Sequence, residues 1–342
     1  MRISPFLFLF AFVFLFYSAF PQKSSDDFTI LFYNTENLFD TKDEPQKEDD
    51  EFTPAGERHW TNKKLHQKLV NLSKVILNSA GFEMPGVVAM CEIENREVLE
   101  RLLTSTPLKG FNYKIIHKES PDHRGIDAAL LYDADRIYPL EFNFYALQKG
   151  EEIVKTREIL YFSGKINNDT LHFFINHWPS RYEGLLESKP MRNSAAKLLK
   201  QKIKELQQKV HHPKIIILGD FNDQPTDESL FEILGAQSVS EKVQNNQLYN
   251  LSIPWMKAGV QTQKYQSQWS VFDQCVVSGA LINSKAGYSV IPENAKITEL
   301  PFLLKKDEKY GGMKPFRTYN GYSYEGGFSD HLPIQVQLNL QN

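Results

Sequence analysis

Val87-Val88-Ala89-Met90 and Ile215-Ile216-Ile217-Leu218 are apolar at every position, and no feature of the chain limits its fold more. A strand with one wet face alternates in polarity, so an unbroken apolar run of strand length needs cover on both faces. Further short β-rich runs are Phe28–Tyr33, Tyr113–His117, Ile126–Tyr132, Leu160–Ile166, Leu171–Asn176, Phe272–Val277 and Ile334–Leu338. The two apolar runs belong to Gly86–Ile93 and Lys214–Leu218. Several of these alternate, which suits a sheet packed on one side against another layer. Helical spacing appears twice. Leu65, Leu69, Leu72, Val75 and Ile76 mark a helix from Thr61 to Asn78, capped near Thr61 or Asn62, and Ala195, Leu198, Leu199, Ile203 and Leu206 mark one from Met191 to Val210. Many strands with few helices and no low-complexity linker predict one large α/β domain of layered sheets. Residues 40–58, rich in Asp and Glu with Pro45, Pro54 and Gly56, read as a solvated loop without the ligand spacing of a calcium loop.

The polar residues collect where strands end. The first run leads into Tyr33-Asn34-Thr35-Glu36-Asn37, and the second into Cys91-Glu92-Ile93-Glu94-Asn95. A third closes on Asn176-His177-Trp178-Pro179-Ser180-Arg181, the Ile-rich one on Gly219-Asp220-Phe221-Asn222, and Ser329-Asp330-His331 precedes the last. Strand ends on one edge of a sheet converge, so such residues can assemble one site. Asp220 and Asn222, two apart in extended chain, share a face. Asp273 sits inside an apolar strand and needs a cation or a donor, for which an imidazole is the natural partner. Turn chemistry explains any one cluster about as well. It does not explain all of them in this order.

The ordered set Asn34, Glu92, Asn176-His177, Gly219-Asp220-Phe221-Asn222, Asp273 and Ser329-Asp330-His331 resembles the endonuclease/exonuclease/phosphatase superfamily, over roughly residues 27–340. Deoxyribonucleases, abasic-site endonucleases, sphingomyelinases and inositol polyphosphate phosphatases belong to it, and this chain is most similar to an exported bacterial, endonuclease-like branch. The resemblance implies one catalytic domain over 27–340, a four-layered α/β/β/α sandwich of two mixed sheets flanked by helices, with the active site at a rim between the sheets. It implies Glu92 as the main metal ligand, with Asn34 and Asp330 beside it, and Glu94 as a lesser candidate. Asp220 would orient or deprotonate the attacking water, helped by Asn222. His331, held by Asp273, and His177 would donate to phosphate oxygens. Oxygen ligands without thiolate favour Mg²⁺ or Mn²⁺, and also admit Ca²⁺. Asn176 and Arg124 are candidate phosphate contacts, Arg124 as a clamp or equally as a structural ion pair. Asp127, Arg157 and Arg317 have no assigned role.

The expected activity is phosphodiester hydrolysis by a nuclease acting on DNA or RNA. A formal charge of −3 supplies no general cationic field for coating nucleic acid, so a polyanion must be gripped locally. A phospholipid or inositol-phosphate phosphoesterase is the alternative, and a silent binding module is disfavoured because every expected chemical position is filled. No stable protein partner is implied. Trp178, Tyr182, Trp269 and the stretch Tyr319 to Tyr324 can stack bases or simply pack around the rim.

Arg2 followed by the apolar run Pro5 to Phe20 and a polar exit reads as a signal peptide over residues 1–22, with an uncleaved membrane anchor as the alternative. The expected location is therefore periplasmic or extracellular. Cys91 and Cys275 both lie in apolar runs and are expected as core thiols.

Overall fold

The computed structural model describes residues 27–341 apart from 80, 82 and 183. The signal-peptide expectation for residues 1–22 lies outside them. In chain order the elements that build the domain are β1 (Phe28–Leu38), α1 (Asn62–Ser79), β2 (Val87–Ile93), α2 (Arg96–Thr104), β3 (Tyr113–His117), β4 (Asp127–Asp133) and β5 (Ile137–Tyr145). They continue with β6 (Ile159–Ile166), β7 (Asp169–His177), α3 (Leu185–Lys209), β8 (Lys214–Asp220), β9 (Ala236–Gln237), β10 (Leu248–Asn250), β11 (Asp273–Ser278), β12 (Gly287–Ile297) and β13 (Ile334–Gln341).

Two mixed sheets face each other. The first has the order β12-β13-β1-β2-β4-β3, and the second β9-β10-β11-β8-β7-β6-β5. Alternation within single strands separates the layers. Ile216 and Leu218 of β8 join the core between the sheets, while Ile215 and Ile217 pack with Ala195, Ala196, Leu199 and Ile203 of α3. On the other side Leu65, Leu69, Leu72 and Val75 of α1 and Leu99 and Leu102 of α2 cover the first sheet. This is the four-layered α/β/β/α sandwich, and both fully apolar runs are covered on two faces as their composition demands.

Three local departures from the sequence reading have physical causes. The third helix starts at Leu185, before Pro190, which lies inside it. A proline looks like a helix start from sequence, yet here it sits close enough to the N-terminus to be carried. Strand β5 was not foreseen, because Pro139 interrupts its pattern. It is an edge strand of the second sheet, where proline is tolerated. The acidic segment 40–58 is no free loop either: Phe52 is buried and stacks on Phe39 at 4.3 Å, and the Trp60 indole donates to the Phe39 carbonyl at 3.0 Å. Two anchors in a polar stretch leave no periodicity to read.

Candidate active site

Register alone assembles the second sheet's share of the site. Asp220, the last residue of β8, pairs with His177 on β7 in parallel and with Asp273 on β11 antiparallel. His331 arrives just before β13, where Ser329 fixes the turn: its hydroxyl donates to the Asn34 carbonyl at 2.7 Å and accepts the His331 N–H at 3.1 Å. His331 Nδ1 then meets Asp273 Oδ2 at 2.7 Å, and its Nε2 lies 3.8 Å from Asp220 Oδ2. His177 Nε2 stands 3.9 Å from both Glu92 Oε1 and Asp220 Oδ2.

The first sheet contributes through an irregularity. Pairing of β2 with both β1 and β4 slips near Glu92, whose φ is +61°. A bulge of this kind re-aims a side chain that regular pleating would bury. The Glu92 carboxylate accepts the Asn37 N–H at 2.8 Å, and Asn34 spans the two sheets, its amide donating to Glu92 Oε1 at 3.4 Å and to Asp220 Oδ2 at 3.1 Å.

Burial and crowding set the protonation states. Burial pushes the Asp220 carboxyl up to about 7, with Asp273 and Glu92 adding to the rise and His331 and the Asn222 N–H opposing it. Burial works against a charged His331, but the carboxylates of Asp273 and Asp220 outweigh it and hold the imidazolium well above the usual histidine range. His177 goes the other way: burial, then the charges of Arg157, Arg124 and His331, keep it neutral far below that range. The two imidazoles therefore differ in charge within one cluster.

The donor set fits a hard divalent cation. Buried carboxylates of Asp220 and Asp273 crowd near Glu92 without enough protein cations, and Asp273 Oδ1 is buried with no hydrogen-bond partner among the described residues. Ligand atoms of Asp220, Asp273 and His331 lie within 4.8 Å of one another. Cysteine is absent from that group, and hard oxygen donors suit Mg²⁺, Mn²⁺ or Ca²⁺.

The sequence model described as Endonuclease/Exonuclease/phosphatase family matches residues 29–340. The chain belongs to the endonuclease/exonuclease/phosphatase family. As such it is a metal-dependent phosphoesterase. No curated protein matches it. Solved structures with the same fold include a humanized D. rerio TDP2 (16% identity, 92% of this chain and 100% of that one, TM-score 0.55). An endonuclease/exonuclease/phosphatase family protein from Bacteroides thetaiotaomicron is 18% identical, over 91% of this chain and 94% of that one, at TM-score 0.55. A mannosyl-6-phosphatase from the same organism is 19% identical, over 92% and 100%, at TM-score 0.53.

Within this endonuclease/exonuclease/phosphatase framework the structure gathers Asn34, Glu92, His177, Asp220, Asp273 and His331. Three other expected site residues, and the amide of Asn34 itself, are engaged differently from expectation. Asn176, expected at phosphate, is fully buried: its oxygen accepts the Trp178 indole N–H at 3.1 Å and its amide faces the Phe174 and Leu218 carbonyls. In this arrangement it supports Trp178. Asn222 holds Asp220 through its backbone N–H at 3.0 Å and gives its amide to the Trp178 carbonyl. Asp330, expected beside Glu92, is engaged by Arg317 at 3.1 Å, and that charge, with His331 and Lys68, outweighs burial and keeps its pKa low. Asn34 likewise turns its N–H groups toward the two carboxylates, while its oxygen accepts the Glu36 N–H at 2.9 Å. An amide between two carboxylates has no better orientation.

Arg124 reaches the rim by donating to Asn37 Oδ1 at 2.8 Å. Arg157 is structural, bridging Asp122 and the Trp178 carbonyl, and Asp127 accepts the Ser120 N–H. Trp178 packs edge-on against Phe221 and is buried, as is Tyr319, so packing wins over base stacking for both; Tyr182 is exposed. Sequence reasoning missed Glu36 and Lys68. Buried Glu36 takes Arg317 Nε at 3.0 Å and the Thr318 N–H at 2.6 Å, and Lys68 reaches from α1 to the Glu36 and Phe328 carbonyls at 3.1 and 2.8 Å. A lysine on the buried face of a helix was the only signal, and surface helices carry too many lysines for it to stand out.

Proposed function

We propose that the protein is an exported nuclease that hydrolyses phosphodiester bonds of DNA or RNA, using Mg²⁺ or Mn²⁺. The observation that carries this reading is the Asp273–His331 pair facing Asp220 across 3.8 Å, beside Glu92 at the meeting of two sheets. Arg124 and Arg317 along that rim support a polyanionic substrate held locally, as a chain of charge −3 requires.

Asp220, with a pKa near neutrality, can take the proton of an attacking water at physiological pH. Its N–H bond from Asn222 fixes the carboxylate, and Asn34 fixes it from the other sheet. His331, charged and clamped by Asp273, donates from Nε2 to the phosphoryl oxygens or the leaving oxygen as charge develops there. Neutral His177 adds a donor without adding a proton that must be removed. Glu92 is the proposed cation anchor, with Asp220 linked to it through the Asn34 amide. When bound, a divalent cation supplies charge neutralisation and Lewis acidity. The apolar run Pro5 to Phe20 after Arg2 supports export, which sequencing the mature N-terminus from periplasmic or culture fractions tests.

The deciding measurement offers purified protein plasmid DNA, RNA, sphingomyelin, mannose 6-phosphate and bis(p-nitrophenyl) phosphate, each with Mg²⁺, Mn²⁺, Ca²⁺ or chelator. Cleavage of DNA or RNA that chelator abolishes is the expected outcome. Turnover confined to sphingomyelin or mannose 6-phosphate overturns the nuclease assignment.

A further inference from the structure

Beside Glu36 and Asn37, near the end of β1, lies a cavity of about 110 Å³ lined by those two residues, Arg58, Trp60, Arg317 and Tyr319, among others. A single water needs about 10–15 Å³ by such a measure, so the cavity has room for a tetrahedral oxyanion. Its wall is rigid. The Arg58 guanidinium sits over the rings of Phe52, Tyr319 and Tyr322 at 4.8, 5.1 and 5.3 Å, while Glu51 lies 3.0 Å from its Nε and the Gly321 carbonyl accepts from its Nη1 at 3.0 Å. Arg317 is held between Glu36 and Asp330 at 3.0 and 3.1 Å.

The cavity's unengaged polar groups are donors. Arg58 Nη2, Arg317 Nη1 and Asn37 Nδ2 have no protein partner among the described residues, whereas both Glu36 oxygens are occupied, by Arg317 and by the Thr318 N–H. A fixed fork of guanidinium N–H groups with no free acceptor suits phosphate rather than a base edge. Asn37 belongs to both places: its backbone N–H holds Glu92 and its side chain lines the cavity. A ligand there is therefore next in line to the reacting group.

We infer that this cavity binds a second phosphate of the substrate, the one flanking the scissile diester, so that the enzyme favours phosphodiesters bearing a neighbouring phosphate over bare ones. The inference rests on the nuclease reading and deepens it. The test compares thymidine dinucleotides carrying a terminal phosphate on the 5′ or 3′ side with the unphosphorylated dinucleotide, for wild type, Arg58→Gln and Arg58→Lys. Wild type should prefer one phosphorylated form by about tenfold or more in kcat/KM, the usual scale for a charged hydrogen bond. Arg58→Gln should erase most of that ratio, and Arg58→Lys should keep part of it. Cleavage of all three dinucleotides at one rate by wild type overturns the inference and needs no variant to show it. So does an Arg58→Gln enzyme that keeps the full preference. Failure on all three dinucleotides while plasmid DNA or RNA is cut overturns this inference alone, whereas failure on dinucleotides, plasmid DNA and RNA together, with turnover of bis(p-nitrophenyl) phosphate, removes the nuclease reading and this inference with it.

Discussion

The two rims that meet at the active site are built in opposite ways. The second sheet delivers Asp220, His177 and Asp273 by unbroken ladder register, with nothing unusual in the backbone until Asn222, two residues past the strand. The first sheet delivers Glu92 and Asn37 by distortion, with φ of +51°, +53° and +61° at Glu36, Asn37 and Glu92. Non-glycine residues in that region cost energy and persist only where surroundings over-determine them. Here the surroundings are ionic: Lys68 and Arg317 on one side, Glu36 and Asp330 on the other. The Asp220–His177–Asp273 geometry is thus carried by hydrogen-bond ladders, and the proposed cation side by strained backbone over a buried charge network.

The sharpest way to break this contrast is Lys68→Met. Removing the buried ammonium leaves Glu36 with Arg317 as its one cation and strips the donor from the Glu36 and Phe328 carbonyls, which should cost about 3–5 kcal/mol of stability in a denaturant titration. A variant as stable as wild type would show that the first rim does not depend on its ions. Next comes Asp220→Asn, expected to lower kcat about a hundredfold or more while the fold stays intact. Retained activity would remove the ladder-built rim from the chemistry.

Glu94 tests the same contrast through pH. Burial, followed by the charges of Asp40, Asp49 and Glu44, pushes its carboxyl up to about 9. The native state therefore holds a proton that the unfolded chain releases near the ordinary value of 4.5. Its stabilisation is complete below that value and is lost as pH rises toward 9. The unfolding free energy from denaturant titrations should fall across this window by up to about 1.4 kcal/mol per pH unit, and Glu94→Gln should flatten the slope. The smallest effect is Asn37→Gly. Relief of its positive φ should offset the added freedom of the unfolded chain, leaving a stability change under about 1 kcal/mol. A large loss would mean that the Arg124–Asn37 contact, rather than the backbone, secures that turn.

The same contrast explains what could be read from sequence. The fold and the strand ends at Asp220, His177 and Asp273 were legible because burial on two faces and side-chain alternation leave direct marks on residue order. Glu92 was legible as a residue, but its bulge was not, since a register slip depends on neighbouring strands. The bond from Asn176 to a buried indole was not legible, because a polar residue at an apolar strand end gives no sign of its partner. Asp330 misled because its partner Arg317, thirteen residues earlier, lies in a segment without periodicity. The Arg58 cavity was invisible for a similar reason: an acidic stretch conceals the two aromatic anchors that fold it back.

Cys91 and Cys275 are free, fully buried, and sit one and two residues from Glu92 and Asp273, on opposite sheets. A thiol reagent can touch either only when its own sheet opens. Labelling rates at the two sulfurs, followed site by site, would time the fraying of each half of the molecule without any engineered probe.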